Sequence, residues 1–256
     1  MFTQIKLINH KWKLFFAMET TSTQDVARSH ILNNEDFHRS IYLADYQTAG
    51  RGRNNRTWYS LGQNALSFSI CLKPTIPMSN ISSITLIAAI SLYEALTEET
   101  DTQLQIKWPN DLLIGTKKVA GILTECVPIN SLDYGVIIGI GLNVNQPDNA
   151  FPEEVKNIAT SLFIENKKMY DRMDVLQKFI DRFEQNYEIF LEKGFSDFRE
   201  KYLNYSNLIN KKVIHSLNEV RQEATIVDIT STGNLVLEKS DKTFEVFSGE
   251  IQVIGK

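Results

Sequence analysis

Two hydrophobic rhythms divide this chain, and the second constrains its fold most. From about Asn210 onward, short β-like runs at 212–217, 223–229, 234–239, 243–247 and 250–254 follow one another closely. Only turn signals separate them, such as Leu217-Asn218-Glu219 and Thr232-Gly233-Asn234. Such spacing predicts a small all-β barrel appended to a domain of different character. Before it, strands and helices mix. Strands are expected at 12–18, 41–46, 103–108, 111–114, 118–126 and 134–144, with Gly115-Thr116 turning a hairpin between the fourth and fifth. Leu66, Phe68, Ile70 and Leu72 alternate with smaller or polar residues, the pattern of a half-buried strand. Thr21-Ser22-Thr23 starts a helix over Gln24 to His30. Ile84 to Leu96 keeps the spacing of a buried helix, and Val175 to Leu191 that of an amphipathic one stopped by Gly194. The chain is therefore expected to be α+β, with domains at 1–208 and 209–256.

Bulk properties exclude several classes. The chain is 43% hydrophobic and 23% charged, a globular composition. Its net charge of −4 does not favour a polyanionic partner, so any anion site must be a local cluster. Cys71 and Cys126 lie in apolar runs and read as core residues in a reducing compartment. No signal peptide is expected at the N-terminus and no membrane-spanning segment anywhere, so a cytoplasmic protein is expected.

The local cluster is the loop Gln47-Thr48-Ala49-Gly50-Arg51-Gly52-Arg53-Asn54-Asn55-Arg56-Thr57-Trp58, with three arginines and no acid. Its glycines let backbone approach a ligand, and guanidinium groups suit phosphate or carboxylate. Taken alone, such a loop is more often a solvated surface turn, and an RNA-binding reading would need repetition and a basic context that this chain lacks. A second stretch runs Lys107-Trp108-Pro109-Asn110-Asp111, then Lys117-Lys118-Val119-Ala120-Gly121-Ile122-Leu123. Asp111 stands after a strand end, where a carboxylate can hold Mg²⁺ through phosphate oxygens, and Lys118 opens the next strand. In the third stretch, Gly135 to Asn145, Gly139 and Gly141 lie within a buried strand and are expected to pack tightly against another backbone. It is not a dinucleotide fingerprint, and the chain has no Walker A loop.

In this order, the segments resemble the biotin protein ligases. The resemblance runs from about Lys13 to the C-terminus. It rests on Thr21-Ser22-Thr23-Gln24, Gln47 with Gly50-Arg51-Gly52-Arg53 and Arg56-x-Trp58, Lys107-Trp108-Pro109-Asn110-Asp111, and Lys118-x-x-Gly121-Ile122-Leu123. Gly139-x-Gly141-Leu142-Asn143-Val144-Asn145, Ala159-Thr160-Ser161-Leu162 and Ser248-Gly249-Glu250-Ile251 complete it. It implies a mixed-sheet catalytic domain of the biotin/lipoate ligase type with a small C-terminal SH3-like β-barrel. It also implies an ATP-dependent ligase that forms biotinyl-5'-AMP and biotinylates a lysine of a biotin carboxyl carrier protein.

By the same resemblance Ser22, Thr23 and Gln24 meet the ureido end of biotin, Gln24 standing where the family has asparagine. Gln47, Arg51, Gly52, Arg53, Lys118 and Gly121 complete the biotin site. Arg53, Arg56, Trp58 and Asn143 meet the nucleotide. Lys118, Arg53 and Asp111 are the implied catalytic residues, with Asp111 associated with Mg²⁺. Asn55 replaces a family glycine, and asparagine tolerates positive φ best among the other residues. Relatives with a repressor role carry an N-terminal helix-turn-helix; with a catalytic strand starting by residue 12, no DNA binding is expected. A homodimer is compatible with the resemblance. A lipoate ligase of related fold is the nearest alternative; a non-catalytic RNA-binding protein is the alternative from another class.

Overall fold

The computed structural model describes residues 2–8, 11–33, 36–59, 62–100, 102–217 and 220–254, with backbone alone for 4–8. Ser60-Leu61, just after the arginine-bearing loop, and Asn218-Glu219 of one expected turn lie outside them. The chain runs β1 (Thr3–Ile8), β2 (Trp12–Thr20), α1 (Thr23–Leu32), β3 (Ser40–Gln47), β4 (Ala65–Leu72), α2 (Ile81–Thr97), β5 (Leu104–Lys107), β6 (Asp111–Ile114), β7 (Lys117–Pro128) and β8 (Tyr134–Asn143). Then come α3 (Glu153–Lys156), α4 (Leu162–Asn166), α5 (Arg172–Lys193), α6 (Arg199–Ser206), β9 (Lys212–Leu217), β10 (Val220–Ile229), β11 (Leu235–Lys239), β12 (Lys242–Val246) and β13 (Glu250–Val253).

The first eight strands form one mixed sheet in the order β1-β2-β3-β4-β8-β7-β6-β5. Among the described strands β2 and β3 alone pair in parallel, and α1 is their crossover. Helix α1 covers one face, where Ala27 and Ile31 pack with Tyr42, Cys71, Val127 and Ile137. Helices α2 and α5 cover the other face, where Leu66, Phe68, Ile70 and Leu72 of β4 point. With helices on both sides, β4 is buried along its whole length, which corrects the half-buried reading of its alternating residues. Ser67 and Ser69 are its α1-side residues, and both are buried, Ser69 Oγ against the Thr23 hydroxyl of α1.

The absence of a long apolar segment also needs correction. Met78–Thr97, with a mean hydropathy of 1.3, is long and apolar enough to cross a membrane. Its helix α2 is instead enclosed by the sheet and α5, and its apolar residues from Ile84 to Leu96 belong to the core. Cys71 is buried as expected; Cys126 is only partly covered.

The last five strands form a separate antiparallel sheet in the order β12-β11-β10-β9-β13. This is the expected all-β unit; among the described residues no pairing joins β12 to β13 to close it. The turn at 230–234 seats it on the large domain. Trp108 Nε1 donates to the Gly233 carbonyl at 3.2 Å, and Ser83 Oγ donates to the Thr232 carbonyl at 2.7 Å.

Candidate active site

A cleft of about 810 Å³ opens on the α1 side of the sheet and reaches the C-terminal sheet. All the residues singled out from sequence line it: Ser22, Thr23, Gln24, Gln47, Arg51, Gly52, Arg53, Arg56, Trp58, Asp111, Lys118, Gly121 and Asn143.

Its inner end is built on the start of α1. Ser22 is the N-cap and accepts from the Gln24 amide at 3.3 Å, which frees the first turn to face the cleft. Gln47, at the end of β3, accepts from the Thr23 backbone at 2.8 Å and its hydroxyl at 3.1 Å. That hydroxyl also meets Ser69 Oγ at 2.8 Å. Gln24 reaches across the sheet, and its Nε2 donates to the Leu123 carbonyl at 2.8 Å. Ser22, Thr23 and Gln24 are all buried, so these polar groups are held by one another.

The floor is glycine, for a reason different from the one expected. A Cβ on Gly139 would lie 2.8 Å from the Gln24 side chain, and one on Gly141 would lie 2.1 Å from the Trp58 indole. These glycines accommodate side chains lying across the sheet rather than a neighbouring backbone.

The arginine loop lies over this floor. Its bend is made by Asn54 and Asn55, at φ 55° and 58°, so asparagine does adopt the turn that the Asn55 replacement put in question. At the loop's neck, a Cβ on Gly50 would stand 2.4 Å from the Trp58 carbonyl, which accounts for glycine there. The loop's local charge of +3 is answered by acids from elsewhere. Arg51 pairs with Asp25 at 2.9 Å and Glu125 at 3.1 Å, and Arg56 pairs with Glu250 at 2.5 Å. Arg53 turns inward, donating to Asn110 Oδ1 at 3.1 Å and the Gly249 carbonyl at 3.4 Å. Burial pushes its guanidinium below its ordinary value, with Asp111 and Glu250 opposing that shift.

Lys118 and Asp111 form an ion pair at 2.7 Å, and the same amine lies 5.6 Å from the centre of the Trp58 ring. Lys118 lies opposite Ala159, its N–H donating to the Ile158 carbonyl and its carbonyl accepting from the Thr160 N–H, which gives Ala159-Thr160-Ser161-Leu162 its structural place. Asn143 also lines the cleft, but its amide is engaged within the protein: it donates to the Thr160 carbonyl and accepts from Gln146 Nε2.

Sequence reasoning gave no role to Asn110 or to Gly249 and Glu250. Asn110 fastens Arg53 to β7, since its own Nδ2 donates to the Ile122 carbonyl at 2.9 Å. Glu250 carries no local signal, because the loop it meets lies almost two hundred residues away.

The site thus combines a buried polar pocket, a glycine floor and a cluster of cations beside the carboxylates of Asp111 and Glu250. Such a set can hold an apolar ring with a polar end next to phosphates. The profile of the Biotin/lipoate A/B protein ligase family matches residues 16–143, and the chain belongs to that family. It is 36% identical over 233 residues to the bifunctional ligase/repressor BirA of Bacillus subtilis, covering 91% of this chain and 71% of that protein. To the biotin–[acetyl-CoA-carboxylase] ligase of Mycobacterium tuberculosis it is 26% identical, covering 91% and 86%. Among solved structures, the biotin protein ligase from Aquifex aeolicus in complex with biotin and ATP superposes with a TM-score of 0.82 at 33% identity, covering 95% of this chain and 99% of that one.

Proposed function

We propose that this chain is a biotin protein ligase that joins biotin to ATP as biotinyl-5'-AMP and passes the biotinyl group to a lysine of a carboxyl carrier domain. The observation that carries the reading is the convergence, in one cleft, of the buried Ser22-Thr23-Gln24 pocket with the Lys118–Asp111 pair and the arginine loop. The names of the relatives and the biotin and ATP of the Aquifex complex favour biotin over lipoate.

In the first step a biotin carboxylate oxygen attacks the α-phosphorus of ATP, and pyrophosphate leaves. Two anions meet, so cations must offset the charge gathering in the transition state. Lys118, which lines the cleft with Arg53 and Arg56, would supply one of these charges, and the two arginines would face the nucleotide. In the second step the acceptor amine, having lost a proton, attacks the acyl carbon and AMP leaves. The adenylate is destroyed by water, and the loop from Gly50 to Trp58 is the element that can cover it. Ser22, Thr23, Gln24 and Gln47 would fix the polar ring of biotin, and Trp58 with Arg56 would meet the nucleotide.

Mg²⁺ fits the donor set: Asp111 is an acid at the cation cluster, and this ion needs few protein carboxylates when phosphates supply the rest. When bound, it would neutralise phosphate charge; Asp111 would hold it. We place the enzyme in the cytoplasm.

The test mixes the purified chain with biotin, ATP and a carboxyl carrier domain, and follows the carrier by mass spectrometry beside a parallel reaction with lipoate. Biotin added to one lysine is the expected result. Addition of lipoate alone, or of neither acid, would overturn the reading.

A further inference from the structure

The arginine loop is fastened to the start of β13 through the Glu250 side chain and the neighbouring Gly249 carbonyl. Glu250, the first residue of β13, pairs with Arg56 at 2.5 Å and accepts from Asn54 Nδ2 at 3.1 Å. Beside it, the Gly249 carbonyl accepts from Arg53. Three residues in the crown of the loop thus converge on Gly249 and Glu250, at the start of the final strand. Arg56 and Glu250 both line the cleft, Glu250 as one of its acids on the C-terminal side.

We propose that Glu250 and the phosphates of ATP compete for the same guanidinium, so that the C-terminal sheet sets how tightly the enzyme holds its nucleotide. This rests on the reading of the cleft as an ATP site. A carboxylate beside a triphosphate is unfavourable, and Arg56 cannot serve both in full. ATP must therefore draw Arg56 away from Glu250, and the carboxylate must find another partner. The sheet supplies one. Ser216 of β9 pairs with Glu250 on one side and with Arg221 of β10 on the other, so the three side chains share one face. Arg221 lines the cleft and has no ion-pair partner among the described residues. Strands once removed lie roughly 9–10 Å apart, which an arginine and a glutamate can span together over a serine. Glu250 would turn from Arg56 to Arg221 as the nucleotide arrives.

The exchange involves exposed groups: the side chains of Arg56 and Glu250 are 69% and 45% accessible. Pairs of this kind are weak, so the competition should tune affinity rather than decide it. Glu250→Gln keeps the shape and removes the charge. Its KM for ATP should fall about three- to tenfold, with kcat within about twofold of wild type and the KM for biotin unmoved. A residue that only held the domains together would raise both KM values or lower kcat. An unchanged or raised KM for ATP would overturn the proposal. In an Arg56→Gln background the Glu250→Gln change should leave the KM for ATP where it is; the same fall there would mean a general charge effect and would also overturn it. If Glu250→Gln does not fold, Glu250→Asp serves, because it withdraws the carboxylate by one methylene; its KM for ATP should fall by about twofold, and no fall would overturn the proposal. A wild-type enzyme that makes no adenylate from biotin and ATP would instead bring down the parent reading.

Discussion

The two ends of the cleft are built in opposite ways. At the inner end Ser22, Thr23 and Gln24 are buried, and the side chains bond one another or the nearby sheet: Thr23 to Gln47 and Ser69, Gln24 to the backbone of β7. At the outer end the charged groups are half exposed, and their partners come from α1, β7 and the C-terminal sheet. A buried network is costly to rearrange, whereas exposed ion pairs are worth little each and can be exchanged. Recognition of a fixed small molecule suits the first kind of site, and handling phosphates that arrive and leave suits the second.

That contrast can be tested by breaking each end in turn. The largest effect is expected from Lys118→Ala. The amine stands between Asp111 and Trp58, and losing one such charge-stabilising contact costs roughly 10²–10³ in rate. Pyrophosphate release should drop by that factor with the melting temperature kept; release within about threefold of wild type would remove Lys118 from the chemistry.

Arg53→Gly comes next. Its two inward bonds are those of a clamp, and a hydrogen bond to a charged group is worth about 1.5–3 kcal/mol. Adenylate should still form but escape roughly 10- to 100-fold faster, since loosened binding appears chiefly in the off-rate. Biotin should then appear on a bystander such as serum albumin. A variant that makes adenylate yet labels albumin no more than wild type would refute the clamp.

The floor glycines offer the sharpest comparison. Gly139→Ala forces Gln24 out of a bonded, buried position, and biotin affinity should fall about tenfold. Gly141→Ala pushes on Trp58 instead, a residue of the outer loop, and biotin affinity should fall only about two- to threefold. Equal losses in a titration calorimeter would mean that the two ends are equally rigid.

The smallest effect lies outside the cleft. Burial alone would raise the Glu184 carboxyl, but Lys11, Arg39 and Trp12 outweigh it and hold it below its ordinary value. A depressed carboxyl contributes stability that is present above its unfolded pKa and lost as pH falls through the folded one. His38, lowered by burial and then by Arg39, adds to the loss in the same direction as pH falls below its ordinary value. Glu184→Gln should therefore cost about 2–3 kcal/mol at neutral pH in urea unfolding, and flatten the acid decline. An unchanged slope would assign that decline elsewhere.

Much of this architecture was legible in the residues. The strands of both sheets from β2 onward, the long helices α2 and α5 and the cap at Ser22 follow from periodicity and capping chemistry. The edge strand β1 was not predicted, and neither was α6, whose few buried residues, Tyr202 and Ser206, leave no clear apolar stripe. The motif residues do share one cleft, yet their partners were invisible. Nothing near Arg56 announces Glu250, and nothing in Gly139 says that Gln24 will lie across it. The floor glycines were read as backbone contacts because a glycine-containing strand reports only that something comes close, not what.

The turn at 230–234 has a consequence beyond the cleft. A Cβ on Gly233 would stand 2.2 Å from Leu86 of the core helix, and the carbonyl of the same residue accepts from buried Trp108. Arg199 holds Asp228 and the Ile229 carbonyl from the far side. The small sheet is therefore a keystone more than an appendage. Trimming the chain near residue 208 to obtain a minimal tool enzyme would uncover Leu86 and Trp108 to water, and any graft that exchanges this sheet for another must bring along a glycine to sit against Leu86.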